Sequence, residues 1–385
     1  MYQFDTGVNR ENTNCLKWDA RAQVFGRADV IPLWVADMDF SAPDEVIQTM
    51  VDRARHGAFG YTQPSDEDYG AVIGWMKRRH GVDVDREAIA ISPGVVDSQR
   101  ISLSALTQPG DKVIITTPVY GPFYGSASYA GSEQVLVPLL NKDGAWEMDF
   151  DRLETAMKDG AKAMLICNPH NPVGRVWTEA ELTTLVDMAH RYGVRLISDE
   201  IHADLEMPGH KVTSLLRLDP EAVVLISATK TFNLAALQHS YLLIPHKETR
   251  EKVMKKFGAV GVHGGNLFGL IATTAAFAHG DLWLDELLVY LDETRRCVEA
   301  FVADQLPMLK VARLEGTYLM WFDMRALGMD ADALGKFMVE KAGVGMNNGT
   351  FFGKDGAGFM RMNIATPRKN VLKGLEQIKA AIDTL

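Results

Sequence analysis

The stretch AKAMLICNPHNPVGRVWTEAELTTLVDMAHRYGVRLISDEIH, residues 161–202, is the part of the chain on which the fold turns. It opens with an apolar run at 163–167 and closes with another at 195–198. Between them a helical pattern covers 179–192, and Thr178 followed by Glu181 marks its start as a capping box. Strand, helix and strand at this spacing form a parallel crossover. The rhythm continues on both sides. Further strands are expected at 88–92, 112–116, 134–138, 223–227 and 241–244, with helices at 96–107, 121–130 and 150–158. The fold class is therefore α/β, with a mostly parallel central sheet flanked by helices.

Beyond about Gly280 the texture changes. A long helical pattern runs from 282 to about 305, strands are expected near 317–323 and 359–364, and helices at 331–341 and 367–382. Thr366 followed by Pro367 reads as the N-cap and first turn of the last helix. The first forty-odd residues lack the strand–helix rhythm too. The expected division is a large domain at 46–283 and a smaller α+β domain built from both ends, 1–45 and 284–385.

Composition narrows the partners. Of 385 residues 47% are hydrophobic and 23% charged, the profile of a globular protein with room for two domains. A net charge of −10 without a basic run argues against nucleic acid. Cys15, Cys167 and Cys297 form no CxxC pair and no zinc set, which fits a reducing compartment. The N-terminus lacks a signal-peptide pattern, and no apolar stretch approaches the length of a membrane span. The expected location is cytoplasmic.

In open α/β sheets ligands bind beyond the carboxyl ends of the strands. Lys230 follows one such strand in ISATKTFN, residues 226–233. A lysine there is partly desolvated, which lowers its pKa and makes its amine nucleophilic. Taken alone it is no more than a loop lysine. The neighbouring strand ends in Asp199-Glu200-Ile201-His202, and the one before it in Asn168-Pro-His-Asn171-Pro-Val-Gly174. Each alone is cap or turn chemistry. Together, in this order, they meet the needs of pyridoxal 5′-phosphate (PLP): a lysine for its aldehyde, a carboxylate for its pyridine nitrogen, and donors for its oxygens. Ser227 can reach the phosphate. The turn before Val95 and Val96 offers backbone N–H groups at a helix start, and Tyr120, closing the TTPVY run, offers a ring to stack on the pyridine.

These spaced motifs, NPxNPxG, SDE, SxTK and a late FMR, resemble those of PLP enzymes of the aspartate-aminotransferase fold type over nearly the whole chain. Within it, WVADMDF at 34–40, FGYT at 59–62, SDEIH at 198–202 and KTFN at 230–233 resemble the cystathionine β-lyase-like C–S lyases of the MalY/PatB branch. The resemblance implies that Lys230 is the Schiff-base lysine and catalytic base, Asp199 the pyridine partner, Asn171 the donor to the cofactor's O3′, and Tyr120 the stacking ring. Val95, Val96 and Ser227 would cradle the phosphate, with His202 beside the cofactor. Arg361 would grip the substrate α-carboxylate, with Ala36 and Asn171 nearby. Tyr61 would reach the phosphate of a neighbouring subunit, which implies a homodimer.

Two positions depart from the aminotransferase pattern. Gln238 stands eight residues after the lysine, where many aminotransferases have arginine, and His202 stands where many have tyrosine. Both fit the lyase branch. The implied reaction is β-elimination from an S-substituted L-cysteine, giving a thiol, pyruvate and ammonia. The alternative is a class I/II aminotransferase, whose first steps are the same. A non-catalytic regulator is disfavoured by the intact Lys230, Asp199 and Arg361. The chain holds no GxGxxG after a strand, and no GxxxxGK[ST], HExxH or GxSxG motif.

Overall fold

The computed structural model describes residues 2–262 and 264–385. A seven-stranded sheet has the order Ile89–Ser92, Ser240–Leu243, Val223–Ile226, Arg195–Asp199, Ala163–Cys167, Lys112–Thr117, Glu133–Pro138. Ser240–Leu243 runs antiparallel to both neighbours, and the other pairings are parallel. These strands read as unbroken apolar runs because both faces are covered. Ile114, Met164, Ile166 and Leu196 face one core, whereas Val113, Ile115, Leu165 and Ile197 face the other. Each such side chain, fully buried, contributes about 1.5–3 kcal/mol.

A second sheet is antiparallel, in the order Lys310–Val311, Leu319–Asp323, Phe359–Asn363, Asn347–Asn348. The N-terminal strand Ile31–Pro32 pairs with Val344–Gly345 and so lies beside the C-terminal part of the chain.

The expected elements are present with ends shifted by a residue or two, and three features differ in kind. Helices Lys247–Ala259 and Leu267–His279 were not foreseen. The second is buried on most sides, through Leu270, Ala272, Thr273, Ala275, Ala276 and Phe277, so it carries no amphipathic period. At the last helix, Pro367 itself occupies the N-cap and the helix begins at Arg368 with no side-chain cap; Thr366 Oγ1 accepts from Asn370 Nδ2 instead.

The chain is α-helical over Asp66–Trp75 and then widens to a π-helix over Met76–His80. A wider turn brings residues five apart to one face. Here it lets Trp75 Nε1 (2.9 Å) and His80 Nε2 (2.7 Å) both meet the buried Asp204 Oδ1. Asp204 Oδ2 accepts from Thr231 Oγ1 at 2.6 Å, beside Lys230.

Candidate active site

A cavity of about 230 Å³ opens at the carboxyl ends of the central strands. Ala36, Val95, Val96, Tyr120, Asn171, Asp199, His202, Ser227 and Lys230 all line it. Arg361 adjoins it through Asn171. Tyr61 is fully exposed to solvent in this chain and takes no part in the cavity.

Lys230 sits on a single helical turn, Ala228–Thr231, that follows the strand Val223–Ile226. Ser227 caps this turn: its Oγ accepts from Thr229 N (3.1 Å) and donates to His239 O (2.6 Å). Lys230 Nζ donates to Ala36 O at 2.7 Å. Desolvation pulls the lysine down to about 8, with Arg361 pulling the same way and Asp37 and Asp199 opposing. Near pH 8 about half of it is therefore the neutral, nucleophilic amine.

Asp199 ends its strand opposite Cys167 and accepts from Ile201 N at 3.1 Å. Burial pushes its carboxyl up to about 7. A carboxylate held that high on a cavity wall is one whose charge lacks a full partner, and a protonated ring nitrogen is a fitting one.

Arg361 is buried in the strand Phe359–Asn363. Its Nη1 donates to Asn171 Oδ1 (2.9 Å), and its Nη2 donates to Asn347 Oδ1 (2.8 Å) and Trp34 O (2.9 Å). Its Nε has no partner among the described residues. Every acceptor it has is neutral, and burial pulls the guanidinium down to about 10. A buried cation without a counter-ion is a receptor for an incoming carboxylate.

Val95–Leu106 starts at Gly94, with Val95 and Val96 in its first turn, where amide N–H groups have no intrahelical acceptor. His202 is buried, its Nδ1 lacks a partner among the described residues, and burial holds it well below the usual histidine range, so it is neutral at pH 7. The cavity thus offers a near-neutral lysine, a carboxylate lacking a cation, a helix N-terminus and a cation lacking an anion, which is the donor and acceptor set that PLP and an amino acid require.

Several residues of this region were not foreseen. Tyr318 OH donates to Ala36 O (3.0 Å), the same carbonyl that Lys230 uses, and burial raises its pKa so that it stays a donor. His239 is buried at the cavity wall with both ring nitrogens unpartnered among the described residues, and burial lowers it to about 4. In sequence Tyr318 reads as an apolar strand residue like its neighbours; the structure places it in a bend just before the strand Leu319–Asp323, where its carbonyl accepts from Ile364 N. The backbone of residues 34–40 is held by side chains from distant parts of the chain. Asn363 Nδ2 donates to Val35 O and Asp37 O, and Asn233 Nδ2 donates to Met38 O and Phe40 O. Buried Lys17 pairs with Asp39 at 3.0 Å.

A mostly parallel sheet with this strand order, a lysine, a carboxylate and an asparagine on three adjacent strand ends, and a second sheet supplying a buried arginine define the fold of the PLP-dependent enzymes of fold type I. The chain belongs to the class I and II aminotransferase family, whose model matches residues 28–378. It is 40% identical to the cystathionine beta-lyase PatB of Bacillus subtilis (strain 168), over 98% of this chain and 99% of that one. It is 33% identical to the protein MalY of Escherichia coli (strain K12), over 99% of each. The crystal structure of cystalysin from Treponema denticola, which contains a pyridoxal 5′-phosphate cofactor, superposes with a TM-score of 0.96 at 36% identity, covering 100% of this chain and 99% of that one. These relatives put the chain in the MalY/PatB branch of the family.

Proposed function

We propose that this chain is a PLP-dependent carbon–sulfur β-lyase that converts an S-substituted L-cysteine and water to a thiol, pyruvate and ammonia. The observation that carries the reading is the single cavity on which Lys230, Asp199 and the Arg361–Asn171 pair converge. The 40% identity to a cystathionine beta-lyase along the full chain supports the lyase branch.

When bound, PLP supplies an aldehyde for the substrate amine and a ring that takes up the electron pair released at Cα. The protein does the rest. Arg361 exchanges neutral acceptors for the substrate carboxylate, with Ala36 and Asn171 beside it, and so orients Cα. Lys230, whose desolvation favours the neutral amine, takes the Cα proton at Nζ. Asp199 would hold the proton on the ring nitrogen. Tyr120 would cover the ring, and Asn171, whose Oδ1 is engaged by Arg361, would donate from Nδ2 to the ring oxygen. Val95 and Val96 at the helix start would receive the phosphate, with Ser227 joining them by turning its hydroxyl away from His239 O. His202, neutral and unpartnered at Nδ1, hydrogen-bonds beside the cofactor.

The test is to incubate the holoenzyme with L-cystathionine and no keto acid. Pyruvate and free thiol should appear in equal amounts. Product that forms only when a keto acid is supplied, with the amino group passed to it, makes the protein an aminotransferase.

The working unit in this reading is a homodimer whose domains are 46–283 and the paired ends 1–45 and 284–385. The pairing of Ile31–Pro32 with Val344–Gly345 supports that division. Gln238 on the cavity wall leaves the phosphate without an arginine, and exposed Tyr61 is free to supply a hydroxyl to the neighbouring subunit. Tyr61→Phe removes one hydrogen bond to a charged group, so PLP affinity should fall about ten- to hundredfold. Sedimentation should still show a dimer. Unchanged affinity, or an active monomer, removes the shared-site reading. Three free thiols, two of them buried, support a cytoplasmic location.

A further inference from the structure

We infer that Phe351 contacts the β-substituent of the substrate and makes the enzyme selective for cysteines whose sulfur carries an apolar group, aromatic or branched alkyl. This inference rests on the proposed amino-acid substrate and names its class.

Phe351 is a large apolar side chain left 51% exposed. An exposed phenylalanine on a mobile loop would mean little, but this one is rigidly mounted. Asn348 Oδ1 caps the turn Gly349–Phe352 through Thr350 N (3.1 Å). Phe352 O accepts both from Val119 N (2.9 Å) and from Tyr124 OH (2.8 Å). Thr117 Oγ1 bonds Asp355 just beyond. The loop also lies against Gly121 so closely that a Cβ there would meet Phe351 O at 3.3 Å and the ring at 3.7 Å. The fold thus fixes this ring in the open, where apolar surface is unfavourable until something covers it.

Its neighbours say what that is. The Arg361 guanidinium lies over the Phe352 ring at 4.7 Å. Phe352 meets Phe351 edge-on at 5.1 Å, and Phe351 lies 6.3 Å from the Tyr120 ring. Arginine, two phenylalanines and a tyrosine therefore form an arc from the carboxylate grip to the cofactor wall. Phe351 is the member of the arc that is open to solvent. On its far side it joins Phe25, Trp34, Met338 and Met346 along a groove of about 850 Å³ that also includes Asn347, a partner of Arg361. An amino acid held by Arg361 has its Cα fixed between these two ends. A substituent leaving its Cβ along the arc meets the Phe351 ring first, and an apolar one gains both area and ring contact.

The experiment compares S-benzyl-L-cysteine with S-methyl-L-cysteine on the dimeric holoenzyme, for wild type, Phe351→Ala and Phe351→Leu. Two readouts are taken: kcat/KM for pyruvate release, and the dissociation constant from the change in the visible spectrum on binding. The benzyl-to-methyl preference should fall about tenfold in Phe351→Ala and less in Phe351→Leu, in both readouts. An unchanged preference in Phe351→Ala overturns the inference. If neither compound yields pyruvate with the wild type, the lyase reading fails, while the binding ratio still decides the role of Phe351.

Discussion

Replacing Lys230 by alanine is expected to abolish turnover, by at least about a thousandfold, while PLP still binds. General-base catalysis alone contributes about 10²–10⁴, and Lys230 also anchors the cofactor. Borohydride treatment followed by peptide mapping should find the cofactor fixed to Lys230 in the wild type and to no residue in the variant. The amine's environment adds a pH signature. Its pKa is pulled from 10.5 to about 8, so the neutral, reactive form is favoured above that pH and the ammonium below it. The rate at which apoenzyme captures PLP should rise with pH through a midpoint near 8. A fully active Lys230→Ala enzyme would end the PLP reading.

Asp199→Ala carries the second largest effect. The carboxyl is buried, and its position at about 7, despite Lys230 pulling it down, shows how costly its charge is without an ion pair. That cost becomes an attraction once a protonated ring nitrogen arrives, because charges interact strongly where water is scarce. Losing one such preorganised interaction costs about a hundredfold or more in rate. Lys230 remains, so cofactor capture and borohydride fixation should persist while turnover collapses. A loss under tenfold would assign the ring nitrogen's partner to another group.

Much of the fold and site was legible in the sequence, for physical reasons that also explain what was not. The parallel strands are apolar on both faces and short, and the capping box at Thr178 and Glu181 forms as read, so 161–202 could be assigned directly. Lys230, Asp199 and Asn171 were legible because adjacent strands bring their ends together by topology alone. Helix Leu267–His279 was not, since near-complete burial erases the period that marks a helix. Tyr318 was missed because its role comes from a contact across the chain, the hydrogen bond it donates to Ala36 O; the loop 347–352 was expected to shape the substrate pocket, but the bond Asn347 accepts from Arg361 shows only in the structure. His239 likewise stands unmarked before the strand expected at 241–244 until its two unpartnered nitrogens are seen at the cavity wall.

The pairing of Ile31–Pro32 with Val344–Gly345 has a consequence for how the protein is made. The ribosome delivers the strand Ile31–Pro32 some three hundred residues before its partner. During synthesis the central sheet can close as its crossovers emerge, because most of its pairings join segments made close together in time. Lys17 and Asn233 can hold part of the segment 34–40 early, but Trp34, Val35 and Asp37 wait for Arg361 and Asn363, made more than three hundred residues later. Contacts this distant in sequence form slowly. A nascent chain stalled before residue 344 would therefore carry Lys230 and Asp199 but lack Arg361, and gain competence for substrate only once the strand Phe359–Asn363 has emerged.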